Sequence, residues 1–155
     1  MAEAYAPGVR VEREIVLPCR LEEAWAVLME WERQADWMLD ADSVTVVSGQ
    51  REGVGVRLAV RTRVFGVPAF TEPMEVTGWD PPVQLTIRHG GPVAGIGTWH
   101  LEPVDEGTRF AWSEDIRLDV PLVGDLAARV YAPVMRWLMG RAQAGLRSYI
   151  VASGP

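Results

Sequence analysis

The stretch from Pro121 to Ile150 constrains the fold most, because its pattern suits one long helix that needs a cover for its apolar side. Leu122, Leu126, Val130, Val134, Leu138, Ala142, Leu146 and Ile150 recur every fourth residue, and Val123, Ala127, Tyr131, Met135, Met139 and Tyr149 widen the stripe. Asp125, Arg129, Arg136, Gln143 and Arg147 fall on the opposite side and are expected to face water. Pro121 suits a first helical turn, with Asp119 placed to cap the free amides. Pro133 removes a backbone donor and crowds the preceding turn, which predicts a kink or break there. Across that point the apolar arc moves from Leu126 and Val130 toward Leu138, Ala142 and Tyr149, so a bend lets both halves face one curved partner. Gly140 and Gly145 imply close backbone approach or space beside the helix, or are simply tolerated.

The preceding residues supply that partner. Val9 to Leu17 alternates as a first strand, ended by Pro18, and Leu21 to Glu30 switches to helical period with Ala24, Val27, Leu28 and Trp31. A second short helix is expected over Glu32 to Leu39. Six short alternating runs follow, separated by turn residues: Val44–Val47, Val54–Val64, Ala69–Trp79, Val83–His89, Ile96–Glu102 and Thr108–Leu118. The predicted fold is therefore α+β: a curved antiparallel sheet of seven strands wrapped around the long C-terminal helix, with two short helices after the first strand. The 155 residues suit one domain, with a core over about 9–150.

Several local stretches resemble the START/SRPBCC superfamily, the helix-grip fold shared with birch-pollen-type allergens, and its polyketide cyclase/dehydrase and lipid-transport branch. The carriers are Leu17-Pro18 followed by Glu23-Ala24-Trp25, then Trp31 to Trp37, Trp79-Asp80-Pro81-Pro82, and Gly97-Thr98-Trp99 through Gly107-Thr108-Arg109. The Pro-containing final helix matches as well, so the resemblance runs from about Val9 to Tyr149. It implies a hydrophobic pocket between sheet and helix that holds a lipid, polyketide or other apolar metabolite. Members range from carriers to cyclases, so fold alone selects no reaction.

Three ionisable residues fall in phase with the inward apolar residues of their strands: Glu72 between Phe70 and Met74, His89 after Leu85 and Ile87, and Glu114 between Trp112 and Ile116. Burial raises a carboxyl pKa and poises it as a general acid or base, and His89 then serves as a proton shuttle. These are the catalytic candidates if the protein is an enzyme. Each has a plainer alternative: Glu114 paired with Arg109, Arg117 or Arg141, Glu72 thrown out of phase by Pro73, and His89 facing solvent beside Gly90, Gly91 and Pro92. The candidate pocket wall is Trp99, Trp112 and Trp137, with Phe70 and Phe110 on the same strand faces. Met135, Leu138 and Met139 add adaptable helix surface, and Trp37 with Met38 is expected to form a lip over the entrance.

The net charge of −6 leaves no basic footprint for nucleic acid. All fifteen basic residues are Arg, so no lysine is available for Schiff-base chemistry. One cysteine and two histidines offer no metal-ligand spacing, and no cofactor or metal is expected. No leader or membrane-span pattern is read, and the lone Cys19 suits a reducing compartment, so a cytoplasmic bacterial protein of undetermined oligomeric state is expected. The expected function is binding or transport of a hydrophobic small molecule. The alternatives are a metal-free polyketide cyclase or dehydratase, and a protein-interaction module whose groove takes a partner's apolar segment.

Overall fold

A computed structural model of the chain describes residues 8–118 and 121–154. Strand β1 (Val9–Leu17) leads to helix α1 (Leu21–Leu28) and a 3-10 helix (Trp31–Asp36), followed by β2 (Ala41–Val46), β3 (Arg57–Val64) and β4 (Val67–Asp80). Strands β5 (Gln84–His89), β6 (Val93–Val104) and β7 (Gly107–Leu118) complete the sheet, and α2 (Gly124–Ser153) closes the chain. All pairings are antiparallel, in the order β1-β7-β6-β5-β4-β3-β2. The α+β helix-grip architecture is thus as expected, with β4 and β6 longer than the alternating runs and β3 beginning at Arg57 instead of Val54. Phe65 and Gly66 alone make the turn between β3 and β4, where a longer loop was expected.

The second short helix is a 3-10 helix, pinned at both ends. Trp31 Nε1 donates to the Arg51 carbonyl (2.9 Å), and Gln34 Nε2 donates to the Leu28 carbonyl (2.9 Å). The main core gathers α1, the inner faces of the strands and the last turns of α2 through Ala142, Leu146 and Ile150. A smaller cluster of Val11, Ile116 and Met139 sits under the middle of α2.

Helix α2 departs from expectation in three ways. It begins at Gly124 with Val123 as the N-terminal cap residue and no side-chain cap, and Asp119 lies outside the described residues. It runs unbroken through Pro133. The carbonyl that Pro133 leaves without a partner is that of Arg129, and both residues are exposed, so water can satisfy it. The apolar arc before Pro133 also faces the other way: Leu126 and Val130 are exposed, Val130 at 70%, as is Val134 just after it, while the small Ala128 is buried and Tyr131 and Ala132 half-buried. This part of the helix is seated through Ala128, Tyr131, Ala132 and Met135, while Leu126, Val130 and Val134 are left outside.

Gln143, expected in water, is almost fully buried, and its Nε2 donates to the carbonyls of Arg13 (3.2 Å) and Phe110 (3.4 Å). Gly145 has a specific reason: a Cβ there would stand 2.7 Å from the Trp37 carbonyl oxygen. Overpacking of this kind costs about 1–3 kcal/mol. Gly145→Ala is therefore expected to lower stability by about that amount in urea unfolding, and a variant as stable as the parent would show that the helix can shift freely.

Candidate functional site

The half of α2 before Leu138 does not close on β3, β4 and β5, and a cavity of about 130 Å³ opens between them. Its apolar surroundings come from strand positions that alternate inward, including Leu58, Val60, Leu85 and Ile87. Met38, Phe70, Trp99 and Trp112 add larger side chains, and Met135, Leu138 and Met139 face them from α2.

Into this apolar space project three carboxyl groups and an imidazole from separate elements. Glu72 comes from β4, His89 from β5 and Glu114 from β7, while Asp40 stands on the link between the 3-10 helix and β2. Glu114 is held on both sides: Trp112 Nε1 donates to its Oε1 (2.7 Å), and His89 Nε2 lies 3.3 Å from its Oε2. Gly97 makes room for this arrangement. On the neighbouring strand β6, a Cβ at that position would come within 2.6 Å of the Glu114 carboxylate.

The electrostatics follow from burial. Glu72 is 8% exposed, and desolvation pushes its carboxyl up to about 7, opposed by the attraction of His89. Desolvation also raises Asp40. For His89, burial alone would favour the neutral ring, but Glu114, Glu72 and Asp40 together outweigh it and hold the imidazole above its ordinary value. Burial raises the Tyr131 phenol as well. The cavity therefore has a carboxyl that titrates at about 7 and an imidazole held above its ordinary value inside an apolar wall, an arrangement suited to acid and base work on a bound molecule.

His89 does not face solvent as a turn residue, since its ring turns inward to Glu114. Glu114 pairs with this ring and with Trp112, not with Arg109, Arg117 or Arg141. Pro73 does not throw Glu72 out of phase, because β4 keeps its register with β3 through Glu72 and Pro73, and the irregularities fall at Thr62/Arg63 and Val76/Gly78.

Three residues expected in the wall stand elsewhere. Trp37 is no lip: it is buried in the main core, 6.2 Å from Trp99 by ring centroids. Phe110 is fully buried behind Trp99 and Trp112. Trp137 is 56% exposed on the outside of α2, with the Arg141 guanidinium 5.9 Å from its ring centroid. Asp40, Tyr131 and the inward Gly95 and Gly97 were missed, because none stands in a strongly patterned polar position.

Among the described residues no group of three or more His, Cys, Asp or Glu is arranged to hold a metal ion. No helix among them is long and apolar enough to cross a membrane.

The family model described as polyketide cyclase / dehydrase and lipid transport matches residues 8–150. No curated protein matches in sequence. Among solved structures, TTHA0849 from Thermus thermophilus is similar with a TM-score of 0.78 at 22% identity, covering 95% of this chain and 100% of that one. The di-domain ARO/CYC StfQ from the steffimycin biosynthetic pathway is similar with a TM-score of 0.75 at 12% identity, over 94% of this chain and 51% of StfQ. DynU16, a protein of the dynemicin biosynthetic locus, gives 0.67 at 15% identity, over 93% of this chain and 48% of its own. At these identities the likenesses speak for the fold.

Proposed function

We propose that this chain, which belongs to the polyketide cyclase / dehydrase and lipid transport family, binds a polyketide-like or lipid-like small molecule by taking one of its rings into the cavity under α2. The observation that carries this reading is the cavity itself, lined by Trp99 and Trp112 and by apolar strand residues such as Leu58, Val60 and Ile87. Its size sets the limit. A cavity of about 150 Å³ admits benzene, and this one holds about 130 Å³, so it is matched to about one ring and the rest of a larger ligand lies outside it.

A second reading, acid–base turnover, is favoured by Glu114 standing between His89 and Trp112 with Glu72 in the same cavity. In that reading His89 passes the proton, Glu114 steadies its charged form, and Glu72 gives or takes the second proton of a cyclisation with loss of water. The same structure serves both readings, and binding precedes turnover in either.

The test begins with binding. Naphthalene-sized ring compounds are expected to quench tryptophan fluorescence saturably and to raise the melting temperature. Met135→Trp, which enlarges a side chain lining the cavity, is expected to weaken that binding at least tenfold. If no ring compound binds saturably, or if Met135→Trp binds as the parent does, the reading falls. With a poly-β-keto substrate, Glu114→Gln and His89→Ala are expected to bind and not turn over. Unchanged rates in both would remove the second reading.

A further inference from the structure

The charge inventory of the cavity is unbalanced. Among the described residues, Arg63 is the only arginine lining it, and its Nε and Nη2 both donate to Asp42 Oδ1 (3.0 and 2.6 Å). His89 is engaged with Glu114. Glu72, nine-tenths buried and aimed into the cavity, keeps the Thr62 hydroxyl as a hydrogen-bond partner and no basic group within ion-pair distance. The Asp40 carboxyl likewise has no basic partner among the described residues. Glu72 and Asp40 thus share an apolar space with Trp99, Trp112 and Tyr131, and the cation nearest them, the His89 imidazole, is already paired with Glu114, so three carboxyl groups face one imidazole. Buried carboxylates and aromatic faces together are the environment in which an ammonium group is better held than in water.

We infer that the ligand of this cavity carries a positively charged nitrogen next to its apolar ring, with the ammonium group placed against Glu72 and Asp40. This inference rests on the binding reading above and narrows it to the chemical class of aryl-alkyl amines. Without ligand, Glu72 answers its burial by keeping a proton, and its carboxyl titrates at about 7. An arriving ammonium takes that proton's place, so binding releases it.

The groups facing Glu72 act with the same sign. Asp40 and His89, both held above their ordinary values, lose protons as the pH rises and make the cavity more negative. Glu114 is paired with His89 and Arg63 with Asp42, and Tyr131, raised further above its ordinary value, stays neutral. Affinity for a cation therefore climbs with pH, whereas affinity for a neutral isostere does not.

The experiment compares benzylamine, benzyl alcohol and benzoate, three probes with one ring and different charge, by isothermal titration between pH 6 and pH 8. Benzylamine is expected to tighten about tenfold over that range, the change in the ionised fraction of a carboxyl titrating near 7. Titration at pH 6 in two buffers of different ionisation heat is expected to show about one proton released, falling toward none at pH 8. Benzyl alcohol is expected to bind weakly with a flat pH profile, and benzoate weakest of the three. Glu72→Gln is expected to flatten the benzylamine profile and remove its advantage over the alcohol, with Asp40→Asn reducing it in part. If benzyl alcohol binds as tightly as benzylamine at pH 8, the charge inference is overturned while the binding reading stands. Benzylamine preference that survives intact in Glu72→Gln also overturns it. If none of the three probes binds, both readings fall.

Discussion

Trp99→Ala is expected to cost about 3–5 kcal/mol of stability, the range for removing a large buried aromatic side chain. Trp99 is where the core and the cavity meet: its ring centroid lies 6.2 Å from Trp37, 5.6 Å from Phe110 and 5.7 Å from Trp112, with edge-on packing against the last two. Each such pair adds roughly 0.5–1.5 kcal/mol beyond the area it buries, so truncation removes several favourable contacts at once. In a chain of 155 residues the loss corresponds to a fall in melting temperature of roughly 6–20 °C. The vacated space joins the existing cavity, so the variant is expected to accept larger ring compounds than the parent. Urea unfolding followed by circular dichroism measures the first effect, and a midpoint within error of the parent would show that Trp99 does not hold the two parts together.

Glu72→Gln carries the second large effect, and its sign depends on pH. The Glu72 carboxyl stands near 4.5 when exposed and at about 7 in the folded protein. Below its unfolded value the group is protonated in both states and the native state bears no cost. As pH rises the unfolded chain ionises first, so stability drains away until pH passes the folded value and the full difference is lost, about 3 kcal/mol. The raised His89 acts in the same direction, since its contribution is also present at low pH and lost as pH rises through its folded value. Glutamine keeps the shape and removes the titration. The variant is therefore expected to match the parent near pH 4 and to exceed it by about 3 kcal/mol at pH 8. A stability difference that does not change with pH would mean that Glu72 is not the group responsible.

What could be read from the residues and what could not have separate physical causes. Two-residue alternation is a strong signal where one face of a strand is buried, so the inward phase of Phe70, Glu72 and Met74, or of Trp112, Glu114 and Ile116, was legible. Asp40 was not, because it lies on an irregular link where no period marks which way a side chain turns. Helix α2 misled for a different reason. Apolar periodicity identifies the greasy side of a helix, and here the side that meets the sheet is the small one, with Ala128 and Ala132 against it and Leu126 and Val130 outside. Gln143 shows the complement: a polar residue in helical phase with the arginines is drawn inside by two carbonyls. Trp137 followed the arginine side too, while Trp37, in the short 3-10 region, was placed outside the core to which it belongs.

The uneven seating of α2 separates two duties along one rod. Its last turns, through Leu146 and Ile150, are anchored in the main core, while the turns of Tyr131 and Met135 meet only the smaller cluster and line the cavity. A rod anchored at one end can lift at the other without disturbing its anchor, because local opening needs far less free energy than global unfolding. Traffic into and out of the hollow can then proceed on its own clock, decoupled from the lifetime of the native state.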